Sequence, residues 1–182
     1  MGDERLRLFC ALQLPDETVA ALVAWQARHL SAGRIVPPEN LHVTLAFLGS
    51  RPAGEVAAIV RELSEASGAA GPVRFRPERY RETRSVGMIV LEDVGGAATA
   101  LADDLGARLE RIGAYRREGR PWLPHVTVLR FRERPRLAPP APDLGEVGAV
   151  RSALYRSALG RSSAGSSGAR YDVLQTVALG GR

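Results

Sequence analysis

The feature that most constrains this chain is a repeated segment. PPENLHVTLAFLG at residues 37–49 and PWLPHVTVLRF at residues 121–131 both carry His-Val-Thr behind a proline-led entry. His42 and His125 stand nearly half of the 182-residue chain apart, so the fold has to supply two similar halves that each contribute one such segment. The short apolar runs Leu41 to Leu48 and His125 to Phe131 read as strands. Alternate side chains of a strand share a face, so His42 projects with Thr44 and His125 with Thr127. Val43 and Val126 then point into the opposite layer. Two halves facing one another would line one cleft with two imidazoles and two hydroxyls.

The flanking sequence supplies the rest of an α+β frame. Period-two apolar residues from Arg5 to Leu14 predict a strand, half-buried or central because Phe9 and Ala11 lie between them. Asp16 is placed to cap a helix carrying Val19, Leu22, Val23, Gln26 and Leu30, with Gly33 as its end. A second helix follows Pro52, with Val56, Ile59, Val60 and Leu63 on one face and residues 68–71 as its exit. Strands are predicted at Val73 to Phe75 and Val86 to Leu91, separated by an arginine-rich connection. A third helix with Leu101, Leu105, Leu109 and Ile112 follows Gly95-Gly96. After a proline-rich connector at Pro135 to Pro142, the last strands are Val147 to Tyr155 and Tyr171 to Leu179, joined by a glycine/serine-rich loop at 160–168. Helices and strands in this mixed order indicate an α+β fold in one domain spanning residues 1–182.

Composition narrows the chemistry. All 25 basic residues are arginine, so no lysine is present to form a Schiff base, a nucleotidyl-lysine or a Walker-type phosphate loop. Cys10 stands alone, which excludes a disulfide framework and any CxxC metal or redox site. No apolar run approaches the roughly 18 residues of a membrane span, and the start lacks an apolar signal segment, so a cytoplasmic protein without a membrane partner is expected. Leu6 departs from the myristoylation pattern that Gly2 would begin. A sequence pI near 10.3 favours an acidic partner such as nucleic acid or phosphate.

Imidazole titrates near pH 6.5 in the absence of perturbation, so one histidine can accept a proton while the other donates. With hydroxyls beside them, the pair suits in-line displacement at phosphorus: a base on the attacking oxygen, an acid on the leaving oxygen, and donors for the phosphoryl oxygens. No HExxH and no metal-ligand spacing of His, Asp and Glu is present, so neither metal nor cofactor is expected. His29 falls in the last turn of the first helix, where a cation suits the dipole. Trp25 and Trp122 read as core or staple residues. Arginines cluster at Arg74, Arg76, Arg79, Arg81 and Arg84 and again between Arg116 and Arg136; they fit either a solvated surface or a rim for RNA phosphates.

The doubled motif resembles that of the two-histidine (2H) phosphoesterase superfamily. RLFCALQLPDE near the start, VPPENLHVTLAFLG, PHVTVLRF, and ALYRSALG followed by ARYDVL are similar to its LigT-like branch, the RNA 2′,3′-cyclic phosphodiesterases formerly called 2′-5′ RNA ligases. The resemblance implies two pseudo-symmetric lobes, each a curved antiparallel sheet with helices outside, and an active-site cleft between them. It also implies hydrolysis of an RNA or nucleotide 2′,3′-cyclic phosphate to the 2′-phosphate by a monomer, with ATP-independent 2′-5′ ligation in some members. Carried over by position, His42 is the general acid and His125 the base, roles that a nearly symmetric site can exchange. Thr44 and Thr127 would bind the phosphate, and Phe47 and Arg130 match the nucleotide-binding rim. Strand parity puts Phe47 and Arg130 on the face opposite the histidines unless the strands bulge. Two rival readings are a non-catalytic nucleotide- or RNA-binding module and a phosphodiesterase acting on ADP-ribose cyclic phosphate.

Overall fold

Each His-Val-Thr segment opens a strand, and the two strands meet at their valines. The structure, a computed structural model, describes residues 4–161 and 167–180. Its strands are β1 (Arg5–Gln13), β2 (Arg34–Ile35), β3 (His42–Pro52), β4 (Val73–Glu82), β5 (Val86–Asp93), β6 (His125–Arg130), β7 (Val147–Ala149), β8 (Arg151–Arg161) and β9 (Ser167–Ala178). Three helices accompany them, α1 (Asp16–His29), α2 (Val56–Ala69) and α3 (Ala97–Arg111). The strands form one antiparallel sheet in the order β7-β4-β5-β6-β3-β1-β8-β9, with β2 against β6. The order divides into two equivalent halves, β6-β5-β4-β7 and β3-β1-β8-β9, with the histidine strand innermost in each. They join through one registered pair, Val43 opposite Val126. The expected α+β class and paired halves are present, as two halves of one curled sheet rather than two separate sheets.

A single registered pair is a thin seam, and the core reinforces it. Leu8, Cys10 and Leu12 of β1, Val43 and Leu45 of β3, and Val126 and Val128 of β6 share one buried cluster with Leu22, Ile59, Leu63, Leu101, Leu105 and Leu109 of the helices. Burial of each such leucine contributes roughly 1.5–3 kcal/mol. The helices also cross the seam. α1 follows β1, yet Thr18 and Leu22 lie with Phe75, Ile89 and Val126 of the other half. α3 follows β5 and reaches back to α2 and β3. Among the described residues, no helix is long and apolar enough to cross a membrane.

Several boundaries differ from the sequence expectation for identifiable reasons. β4 continues to Glu82 through most of the arginine-rich connection, because alternating Arg74, Arg76, Arg79 and Arg81 leave a pairing edge for β5. The expected strand Val147 to Tyr155 is broken at the exposed Val150: residues before it pair with β4 and residues after it with β1. The sheet curls far enough that one residue links its β7 edge to β8. α1 ends at His29, short of Gly33, which takes a left-handed φ of 79° next to β2. Pro15 stands at the N-cap of α1, and Asp16 is its first residue with no side-chain capping bond. At α3 the Gly95-Gly96 turn was expected, and the carboxylate of Asp93 accepts from the Ala98 and Thr99 amides. Most of the 160–168 loop and the N-terminal Gly2 and Asp3 lie outside the described residues.

Both histidine strands bulge at the same place. On β3 the register passes from Ala11↔Thr44 to Cys10↔Ala46, leaving Leu45 without a partner; on β6 it passes from Met88↔Thr127 to Gly87↔Leu129, leaving Val128 without one. A bulge strands backbone groups that need other partners. The Val128 carbonyl accepts from the Val36 amide at 3.1 Å and from Gln26 Nε2 at 2.9 Å. Gln26, 1% exposed, also donates to the Val36 carbonyl. Beside the β3 bulge, the Thr44 carbonyl accepts from the Trp122 indole at 3.0 Å. Replacing Gln26 removes the side-chain donor from two buried carbonyls. Gln26→Leu should lower stability by about 1–3 kcal/mol, read as a lower urea midpoint with an unchanged m value; an unshifted midpoint would show the bulge needs no such tie.

Candidate active site

The register places the motif residues on one face. Gln13 pairs with His42, Ala11 with Thr44 and Phe9 with Phe47; in the other half Val90 pairs with His125, Met88 with Thr127 and Val86 with Arg130. Paired residues project to the same side of a sheet. Phe47 and Arg130 are each five positions after their histidine, so regular alternation would turn them away. The bulges at Leu45 and Val128 add one residue of phase and return both to the histidine face, where they are exposed while residues 45, 46, 128 and 129 are buried.

His42, Thr44, Phe47, Thr127 and Arg130 line one cavity of about 430 Å3. His125 lines an adjoining cavity of about 660 Å3 that shares Thr44 and Phe47. The two rings are held alike: His125 Nδ1 lies 2.8 Å from the Leu123 carbonyl, and the His42 ring hydrogen-bonds the backbone of Asn40, in each case two residues back. An Nδ1–H donated to a carbonyl leaves Nε2 as the ring acceptor. The Thr44 hydroxyl lies 3.0 Å from His42 Nε2, within hydrogen-bond distance.

Beneath this symmetry the surroundings differ. His42 stacks on Phe9 and Tyr155, with ring centroids 5.0 and 5.9 Å away, and meets the edge of Tyr171 at 5.6 Å. Phe9, Ala11, Ala153 and Tyr155 form a small cluster of their own under the cleft, apart from the main core. Burial in this aromatic nest pulls the His42 pKa down to about 4; the Asn40 backbone opposes the shift, and the positive charges of His125 and Arg130 add to it. In the free protein at neutral pH, His42 is therefore the neutral imidazole.

His42, Thr44, Phe47, His125, Thr127 and Arg130, the six residues expected from the motifs and the resemblance, come together here; Phe9, Tyr155 and Tyr171 join them without having been expected at the site. The available signal was Phe9 and Ala11 on the second face of β1, a strand whose first face already supplied the core. Trp25 is 6% exposed and donates to the Pro140 carbonyl, and His29 closes α1 against Trp25. Among the described residues, no three His, Cys, Asp or Glu side chains gather where they could hold a metal ion.

Comparison with known proteins agrees with this geometry. The family described as LigT like Phosphoesterase matches residues 12–81. An Escherichia coli protein named RNA 2′,3′-cyclic phosphodiesterase is 33% identical over 138 residues, 70% of this chain and 73% of the relative. A Thermus thermophilus protein of the same name is 30% identical over 150 residues, 74% of this chain and 73% of its own length. The solved structure of E. coli LigT complexed with 3′-AMP superposes with a TM-score of 0.80 at 27% identity, covering 98% of this chain and 100% of that one. Shared sequence across most of both chains, on a shared fold, shows that the chain belongs to the LigT-like phosphoesterase family.

Proposed function

We propose that this protein hydrolyses the 2′,3′-cyclic phosphate of an RNA end or nucleotide to the 2′-phosphomonoester, using two imidazoles and no metal. The observation that carries the reading is the matched pair of histidines, each anchored to a carbonyl two residues back, on one face of one curled sheet. Support comes from relatives named RNA 2′,3′-cyclic phosphodiesterase and from the likeness to a LigT structure holding 3′-AMP. Both histidines come from one chain, so a monomer acting as one domain suffices. A pure binding module has no use for two opposed acid/base groups.

The electrostatics favour the exchanged division of roles, with His42 as base and His125 as acid. A base must be neutral to accept, and His42 is neutral above about pH 4. It takes a proton from water as the oxygen attacks phosphorus; the P–O3′ bond breaks on the opposite side, and His125 gives its proton to the departing 3′-oxygen. One water is consumed, and the proton gained by one ring balances the proton lost by the other. The hydroxyls of Thr44 and Thr127 and the Arg130 guanidinium hold the phosphoryl oxygens. Phe47 stands at the rim as a stacking surface for the base.

In excess chelator, wild-type protein should turn over a nucleoside 2′,3′-cyclic phosphate, and His42→Ala or His125→Ala should each lower kcat by about 100- to 10,000-fold with the circular dichroism spectrum retained. No turnover, or turnover indifferent to both substitutions, rules the reading out. Substrate comparison with ADP-ribose cyclic phosphate separates the two enzymatic readings.

The pH dependence tests the roles. Neutral His42 is needed, so kcat/KM should rise with pH along a limb nearer 4 than the unperturbed 6.5. Phe9→Ala rehydrates the ring and should move that limb upward. A wild-type limb at 6.5 that Phe9→Ala leaves in place returns His42 to the role of acid.

A further inference from the structure

We infer that the cleft mouth beyond Phe47 binds the phosphodiester on the 5′ side of the terminal nucleotide, with Arg7 as its ligand, so that the enzyme prefers an RNA end to a free nucleoside cyclic phosphate. The inference rests on the cyclic phosphodiesterase reading and extends it to the substrate's next backbone unit.

Arg7 continues a line already on the cleft face. Along β1, Gln13, Ala11, Phe9 and Arg7 alternate to one side, and the first three oppose His42, Thr44 and Phe47. The Arg7 guanidinium carbon lies 4.9 Å from the centre of the Phe47 ring. Arg7, Arg34, Phe47, Arg130, Ser157 and Tyr171 help line a cavity of about 550 Å3 in which no carboxylate takes part. Four of these residues, Arg34, Phe47, Arg130 and Tyr171, also line the His42 cavity, so the two spaces are continuous.

The other arginines make this placement informative. Arg74 and Arg76 pair with Glu146 and Glu92, Arg108 with Glu65 and Asp104, and Arg117 with Glu110. Arg134 pairs with Glu82, and Arg156 and Arg170 with Asp172. Among the described residues, Arg7 and Arg130 have no such carboxylate, as also holds for Arg28, Arg81, Arg84, Arg116 and Arg132; what sets Arg7 and Arg130 apart is their place beside Phe47 at the cleft mouth, where Arg130 donates to the Tyr171 hydroxyl at 3.4 Å and Arg7 sits over the exposed ring. Positive side chains without acidic partners beside an exposed aromatic surface are what a single RNA strand engages, through phosphates and a stacked base.

Substrate chemistry fixes which phosphate this is. A 2′,3′-cyclic phosphate is the 3′ end of a strand, so the chain can continue only from the terminal nucleotide's 5′ oxygen. With the cyclic phosphate between the two histidines and the base against Phe47, the open path outward passes Arg130 and Arg34 to Arg7.

The test compares a nucleoside 2′,3′-cyclic phosphate with the same compound carrying a 5′-phosphate, which adds one backbone phosphate and nothing else. Wild type should favour the 5′-phosphorylated compound by about tenfold in kcat/KM, mainly through KM, as a charge-assisted contact predicts. Arg7→Gln should bring that ratio close to one. Arg76→Gln, which removes an arginine paired on β4, should leave it intact. The salt dependence of kcat/KM for the 5′-phosphorylated compound should also flatten by about 0.7 in log–log slope in Arg7→Gln. Hydrolysis of both compounds at equal efficiency, or a preference that survives Arg7→Gln, overturns the 5′-phosphate site alone. Hydrolysis of neither overturns the cyclic phosphodiesterase reading beneath it.

Discussion

The contact between Val43 and Val126 is the constraint on which the rest of the structure depends. Among the described residues it is the one registered pair between β3 and β6, the innermost strands of the two halves, and it stands at the centre of both His-Val-Thr motifs. The valines are buried on the helix side, so the flanking residues of each strand must face the other way. Antiparallel register about this pair sets His42 across from Thr127 and Thr44 across from His125. Four polar groups converge because two apolar ones are packed together. The single pair provides little ladder hydrogen bonding. Its geometry is maintained by the shared core and by α1 and α3, each of which packs beyond the half from which it springs.

A symmetric frame that held two identical imidazoles would give two groups of the same basicity, which is poor acid/base chemistry. The asymmetry here comes from packing under the rings. Phe9, Tyr155 and Tyr171 surround His42 and strip it of water, while the residues paired with His125 and Thr127 are Val90 and Met88. Burial under its ring, which the backbone symmetry does not dictate, is what makes His42 a neutral acceptor at neutral pH.

The visible part of this site in the sequence was what depends on strand periodicity. His42, Thr44, His125 and Thr127 follow from period two and a repeated motif. Phe47 and Arg130 did not, because Leu45-Ala46 and Val128-Leu129 are pairs of consecutive apolar residues that fit a regular strand as well as a bulged one. The bulges are supported by Gln26 and Trp122, which are remote in sequence from the strands they tie. Long-range backbone satisfaction leaves no local pattern. The break at Val150 was hidden for a related reason: residues 147–155 are continuous in strand character, and only the curl of the sheet assigns their two ends to different neighbours.

The arginine excess shows how structure divides one composition into separate roles. As sequence, the clusters at 74–84 and 116–136 were the conspicuous ones, and Arg7 belonged to none. In the fold, Arg74, Arg76 and Arg117 are matched to carboxylates in exposed pairs of the kind that typically contribute about 0–1 kcal/mol, and Arg134 is matched to the buried carboxylate of Glu82. Their charge is largely neutralised where it stands. The positive field that remains beside the cleft comes from arginines without acidic partners, and an anionic substrate responds to that local field rather than to the net charge of +5. Density of arginine in the sequence is thus an incomplete guide to a phosphate site, since Arg130 lies in a cluster and Arg7 in none; the better guide is where the fold sets an arginine without a carboxylate beside the cleft.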